Sequence, residues 1–279
     1  MTNIQDEKEL FAMHRKSFLT ILLAGLLVLA GCGQSGGGEP AEAGNLLSQI
    51  KERGELVVAT EGTWAPWTYH DESDELVGYD VEVARRIGEK LGVSVRFEEG
   101  EFDGLLAGLE AGRYDIMVNG VDVDEERSQK YDFTTPYAYN RTAVIVRGDN
   151  TEIAAMEDLK GRHTANTITS TYARTAEKYG AEVTGVDDLN QTFELLFSGR
   201  IDATLNAEVS FYDYMRAHPD ADIKIACLDP ESTCAAIPVP KGEEDLTAAI
   251  NEALAELSRD GTLTELSEKY FGTDISKAQ

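Results

Sequence analysis

Residues 163–206 read HTANTITSTYARTAEKYGAEVTGVDDLNQTFELLFSGRIDATLN. Strand-like runs at His163–Asn166, Glu182–Gly185 and Ala203–Asn206 alternate with helical segments at Thr171–Tyr179 and Leu189–Ser198. Strand followed by helix, repeated, is the pattern of an α/β layer. The same alternation occurs upstream. Glu55–Thr60 (ELVVAT) runs into a buried apolar strand, and Asp80–Leu91 places Val83, Ala84, Ile87 and Leu91 at helical spacing before Gly92. Val93–Phe97 then reads as strand, Asp103–Ala111 as helix and Asp115–Asn119 as strand. Two series of this kind predict two α/β lobes, each a sheet flanked by helices.

Two extended segments join the series, Tyr137–Arg147 (YAYNRTAVIVR) and Ala235–Pro240 (AAIPVP). If both cross between lobes, lobe 1 comprises residues 45–138 and 238–279, lobe 2 residues 143–233, and the hinge residues 139–142 and 234–237. The last helix, with Leu246, Ile250, Leu254 and Leu257 on one face and Gly261 at its end, is then expected to return to lobe 1.

Composition narrows the function. With 51 Asp and Glu against 25 Lys and Arg, the 279-residue chain carries a formal charge of −26, which disfavours a nucleic-acid partner. Its 42% hydrophobic content supports a folded core and rules out disorder as the main state. Three cysteines and four histidines, without C-x-x-C or H-E-x-x-H, leave no basis for a structural zinc or another metal. No G-x-S-x-G, no G-x-x-x-x-G-K-[ST] and no G-x-G-x-x-G after a strand is present, so no catalytic residue and no cofactor is expected. Acidic pairs such as Glu125-Glu126 are commonplace in so acidic a chain.

The N-terminus points outside the cytoplasm. Phe18–Ala30 is an uncharged apolar run of 13 residues behind His14, Arg15 and Lys16. A spanning helix needs ~20 residues, so the run fits a signal-peptide core. It ends Leu29-Ala-Gly-Cys32, which resembles the lipobox of bacterial lipoproteins and makes Cys32 the expected lipid-bearing residue. Residues 1–12 carry Asp6, Glu7 and Glu9, unusual in a leader, and Met13 is an alternative start. Removing residues 1–31 deletes three acidic and three basic residues, so the mature chain keeps −26 and membrane attachment would depend on the lipid. Residues 32–45, rich in Gly, Ser, Pro and Glu, read as a flexible tether, and the folded part begins near Leu46. In such a compartment Cys227 and Cys234, which span a short turn containing Asp229 and Pro230, are expected to form a disulfide.

A set of phrases, in order along most of residues 50–275, resembles bacterial extracellular solute-binding protein family 3, the polar amino-acid receptors of ABC importers. They are Glu61-Gly-Thr-Trp-Ala-Pro-Trp67, Gly78-Tyr-Asp-Val-Glu-Val-Ala84, Phe102-Asp-Gly-Leu-Leu-Ala-Gly-Leu109, Arg127 with Lys130-Tyr-Asp-Phe-Thr-Thr-Pro-Tyr137, Gly199-Arg-Ile-Asp-Ala203, Asp260-Gly-Thr-Leu263 and Lys269-Tyr-Phe-Gly272. The wording is most similar to cystine-binding members. The resemblance implies a two-lobed periplasmic-binding-protein-like fold of type II, a monomer that closes on an amino acid and docks on a membrane permease.

A free amino acid carries carboxylate and ammonium on one carbon, so its receptor needs a bidentate cation, backbone donors and a carboxylate close together. The resemblance puts Arg127 on the ligand carboxylate. Its partner is expected at Ser170, beside Thr169 and at the mouth of the helix from Thr171, where free N–H groups favour an anion. Trp64 and Phe102 match the aromatic positions that sandwich the ligand side chain, while Trp67 reads as core. Glu61 lies where the family often puts a residue facing the distal end of the ligand, and Asn119 and Gly120 suit amide and backbone contacts. Two positions depart from the family: Asp122 stands where Thr or Ser is usual, and Ala207 where Asp is usual. One reading moves the ammonium-binding acid to Asp122, helped by Asn206 or Glu208; the other pairs Asp122 with Arg127. Glu61 and Asp122 favour cystine or a basic amino acid over glutamate. The enzyme-class alternative is a dehydratase on the same architecture. The interaction-class alternative is a receptor's sensory module, for which no kinase or spanning segment is seen in the sequence.

Overall fold

The computed structural model describes residues 45–278. The leader, Cys32 and the tether up to residue 44 lie outside the described residues. In chain order the helices are α1 (Leu46–Arg53), α2 (Tyr79–Leu91), α3 (Phe102–Glu110), α4 (Glu125–Lys130), α5 (Thr171–Lys178), α6 (Leu189–Phe197), α7 (Glu208–Ala217), α8 (Glu244–Arg259) and α9 (Thr262–Phe271). The strands are β1 (Glu55–Thr60), β2 (Thr63–Trp64), β3 (Thr68–His70), β4 (Leu76–Val77), β5 (Ser94–Glu99), β6 (Ile116–Met117), β7 (Tyr131–Phe133), β8 (Ala138–Arg147), β9 (His163–Asn166), β10 (Glu182–Gly185), β11 (Ala203–Ala207), β12 (Ile223–Ala235) and β13 (Pro238–Pro240).

The first lobe is built on a parallel sheet in the order β5-β1-β6. Leu56 to Thr60 are all buried, as expected of a strand covered on both faces. Helix α2 lays Val83, Ala84 and Ile87 into this core and ends at Gly92, whose φ of 75° gives the left-handed C-cap that glycine adopts without a Cβ clash. Leu246, Ile250, Leu254 and Leu257 of α8 join the same apolar cluster, together with Ile50 of α1.

The second sheet has the order β10-β9-β11-β8-β12. Alternate residues of β8 serve its two faces: Ala143 and Ile145 meet Phe193, Leu196 and Phe211, while Val144 and Val146 meet Met156, Leu159 and Ala176. The start of β8 and the end of β12 form one antiparallel ladder, with Ala138 opposite Ala235 and Tyr139 opposite Cys234. This paired ribbon connects the two sheets.

The expected disulfide is not formed. Cys227 and Cys234 are free thiols on the same strand. They sit opposite Val144 and Tyr139, so their separation is set by five steps along β8, roughly 16 Å at ~3.3 Å per residue. A disulfide needs Cα atoms within about 7 Å. The Asp229-Pro230 segment is a bulge in a continuing ladder, not a turn that folds the strand back.

Candidate functional site

A cavity of about 550 Å³, part of it open to solvent, lies between the lobes at the carboxyl ends of β1, β6, β9 and β11. Glu61, Trp64, Phe102, Asn119, Gly120, Asp122 and Arg127 line it from the first lobe, and Ser170 and Asn206 from the second.

On the first lobe, Asn119 organises the strand ends. Its Oδ1 accepts from the Glu61 N–H at 2.8 Å and from Thr60 Oγ1 at 3.1 Å, while its Nδ2 donates to Glu61 Oε2 at 2.5 Å. Burial pushes the Glu61 carboxyl up to about 7, against the lowering effect of that Asn119 bond. Trp64 stacks on Trp67 with ring centroids 5.1 Å apart, and Trp67 is core. Gly120 has φ of 51°, and a Cβ there would lie 2.7 Å from the Trp64 ring, so the close approach of indole and backbone requires glycine.

Arg127 is 5% exposed. Its Nη1 donates to the Asp122 carbonyl and its Nη2 to the Thr169 carbonyl, both at 2.9 Å, and the guanidinium lies 5.3 Å over the Phe102 ring. Burial lowers its pKa from the usual arginine value. Asp122 does not hydrogen-bond Arg127 through its carboxylate; its Oδ2 accepts from Thr171 Oγ1 of the opposite lobe. Burial raises the Asp122 carboxyl.

On the second lobe, Ser170 caps α5 by accepting from the Ala173 N–H at 3.1 Å. Thr171 and Tyr172, in the first turn where N–H groups lack an intrahelical acceptor, both line the cavity. Asp188 caps α6 in the same way. Asn206 Oδ1 accepts from Trp64 Nε1 across the cleft at 3.2 Å. Ala207, at the position that resembles an acidic one, is buried in the apolar cluster with Trp64 and Trp67.

Thr169 stands beside the lining. Its hydroxyl donates to Asp103 at 2.5 Å and its carbonyl accepts from Arg127. Glu208 is turned away, in a two-point pair with Arg141 at 2.9 and 3.1 Å. Sequence reasoning missed Asn166, Thr167, Thr171, Tyr172, Asp188, Leu189 and Thr192. The available signal was positional: they follow β9 or open α5 and α6, where open α/β sheets bind ligands.

One guanidinium and two helix N-termini thus face three carboxylates, Glu61, Asp122 and Asp188. That set suits a small molecule bearing a carboxylate and at least one cationic group. Among the described residues no group of His, Cys, Asp and Glu could hold a metal ion.

The sequence profile of bacterial extracellular solute-binding proteins, family 3, matches residues 56–273. The chain belongs to this family. The chain of this family 3 protein is 36% identical over 268 residues to the L-cystine-binding protein TcyA of Bacillus subtilis, covering 94% of this chain and 100% of that one. The L-cystine solute receptor of Neisseria gonorrhoeae, in an unliganded open conformation, is 40% identical and covers 84% of this chain and 100% of its own, with a TM-score of 0.57. An ancestral arginine-binding protein bound to arginine is 36% identical, covering 79% and 99%, with a TM-score of 0.74. The more similar sequence superposes less well. That order is expected when lobe closure dominates the superposition, since hydrogen bonds from Trp64, Arg127 and Thr171 span the cleft of this family 3 protein.

Proposed function

We propose that this solute-binding protein is the lipid-anchored receptor of an amino-acid ABC importer, and that it captures cystine or a basic amino acid between two closing lobes. The observation that carries the reading is the buried Arg127 guanidinium. It is held by two backbone carbonyls, so one N–H on each terminal nitrogen remains for a ligand carboxylate. Ser170 and the first turn of α5 face the same anion. Asp122 takes the ammonium in place of an acid at Ala207, and Glu61 meets the distal group. The named ligands of the relatives, cystine and arginine, support the same choice.

Lobe 1 comprises residues 45–138 and 238–279, lobe 2 residues 143–233, and the β8–β12 ribbon bends at 139–142 and 234–237. The mature chain starts at Cys32, thioether-linked to diacylglycerol, and works as a monomer that presents its closed form to a permease. Mass spectrometry of the N-terminus in the native host tests the anchor; an unmodified Cys32 or an intact leader contradicts it.

A thermal-shift screen of the mature chain against all amino acids and cystine tests the ligand class. A ligand at 100 times its Kd stabilises the native state by about 2.7 kcal/mol. L-cystine or L-arginine should shift the transition and L-glutamate should not. No shift with any amino acid would remove the reading. The dehydratase alternative has one observation in its favour, a Glu61 carboxyl that desolvation pushes up to about 7 in the same cavity as Arg127. Binding without turnover is the expected result with a prephenate-like substrate.

A further inference from the structure

Asp124, the N-cap of α4, is shared between two arginines. Its Oδ1 accepts the Arg127 backbone N–H at 2.8 Å. Its Oδ2 keeps an ion pair with Arg127 Nε at 3.5 Å, too far for a good hydrogen bond, and accepts its hydrogen bond from Nη2 of Arg174, which reaches across the cleft from α5. Arg174 also donates through Nη1 to the Thr169 carbonyl at 2.8 Å, the same oxygen that receives Arg127 Nη2. Two guanidiniums from opposite lobes therefore converge on one carbonyl, and the carboxylate between them is bonded to the distant one.

We propose that Arg174 is a positioning residue that couples closure to ligand capture by competing for the counterion of Arg127: the closing second lobe brings Arg174 onto Asp124 and loosens that carboxylate's pairing with the Arg127 side chain to a contact of 3.5 Å. The proposal rests on the reading of Arg127 as the ligand's carboxylate clamp. When the lobes part, Arg174 leaves with α5. Asp124 Oδ2 then has Arg127, three residues along the same helix, as its adjacent cation, and a two-point pair through Nε and Nη2 becomes available. In that arrangement Asp124 both occupies a terminal nitrogen and repels an incoming carboxylate. Closure reverses both effects, because Arg174 neutralises Asp124 while the Thr169 carbonyl takes Nη2. A ligand carboxylate is consequently held more tightly in the closed state, the differential affinity that a ligand-driven population shift requires.

The Arg174 side chain is 33% exposed and that of Asp124 23%, so the pair is screened by salt. A charge pair of this exposure is worth about a fivefold change in affinity.

The test is a double-mutant cycle with Arg174→Gln and Asp124→Asn, the latter keeping an Oδ1 for the helix cap. Affinity and rates are measured with L-cystine and L-arginine as probes. Arg174→Gln should weaken binding about fivefold, mainly by faster dissociation, and less at high salt. In the Asp124→Asn background the same substitution should cost almost nothing. An equal cost in both backgrounds, or no cost in either, overturns the exchange. Small-angle scattering gives a second reading: without probe the four proteins should scatter alike, and at one shared subsaturating probe concentration Arg174→Gln should stay more expanded than wild type. If neither probe binds the wild-type chain, the clamp reading fails and the exchange is overturned with it, whereas binding with equal costs in both backgrounds overturns the exchange alone.

Discussion

Arg127 Nη2 and the carbonyl oxygen of Thr169 are 2.9 Å apart across the cleft, a bond between a helix of the first lobe and a loop of the second. The cation assigned to the ligand is thus also part of the closing surface. Removing it should damage binding and closure together while leaving each lobe folded. Arg127→Ala is expected to weaken amino-acid binding by about 2 to 5 kcal/mol, with an unchanged circular-dichroism spectrum. Near wild-type affinity by calorimetry would place the clamp elsewhere.

The Asp122 carboxyl accepts from Thr171 while Arg127 bonds the Asp122 backbone carbonyl, so the carboxyl is not committed to Arg127, and the proposed function gives it the ligand ammonium. Asp122→Asn should weaken an amino acid strongly and its deaminated analogue much less. Titrating both proteins with both ligands yields a coupling term for the ammonium contact. Equal penalties would show that Asp122 only shapes the loop.

Glu61 and Asp80 link stability to pH. Asp80 is fully buried, accepts from the Tyr137 hydroxyl at 2.7 Å and has no partner for Oδ2; burial pushes its carboxyl up to about 7, as it does for Glu61. The unfolded chain ionises these groups near their ordinary values of 3.8 and 4.5. The native state therefore binds more protons between about pH 4 and 7, and stability falls as pH rises through that window. Thermal melts should give a higher Tm at pH 5 than at pH 8, and Asp80→Asn should flatten the difference. A Tm that rises over this range contradicts the assignment.

If Glu61 meets the distal group of the ligand, as proposed, ligand choice depends on pH. A distal cation is attracted only by the ionised carboxylate, so affinity for L-arginine should increase as pH passes upward through about 7, with protons released on binding. Calorimetry in buffers of different ionisation enthalpy reads that release. Glu61→Gln should abolish it.

Gly120→Ala tests the aromatic wall. The new methyl group would press on the Trp64 ring from a backbone at positive φ, displacing the indole that hydrogen-bonds Asn206. A stability loss of about 1 to 3 kcal/mol is expected from the overpacking, together with weaker ligand binding. Wild-type melting and affinity would show that the loop yields freely.

Regular elements were legible where periodicity was strong. Glu55–Thr60 and His163–Asn166 are strands as read, and α2 and α5 differ from the reading by one residue at an end. Helix α7 and strand β12 were not read. The α7 sequence EVSFYDYMRA has only Val209, Ser210 and Phe211 buried, too narrow a stripe to signal a helix. Asp229-Pro230 in β12 carries turn residues, yet the ladder with β8 runs on past them, because pairing with a ten-residue neighbour outweighs local turn preference.

What the sequence by itself determined was the α/β alternation, the two-lobed architecture and, through ordered motifs, the family. Those features rest on periodicity and short-range chemistry, which are properties of neighbours along the chain. Only the tertiary structure decided that Cys227 and Cys234 remain apart, that Glu208 turns to Arg141, and that Asp124 Oδ2 takes its hydrogen bond from the side chain of Arg174 across the cleft. Each of these depends on strand register or on contacts between residues of opposite lobes, whose positions follow from how the two sheets close on one another and not from any local run of residues.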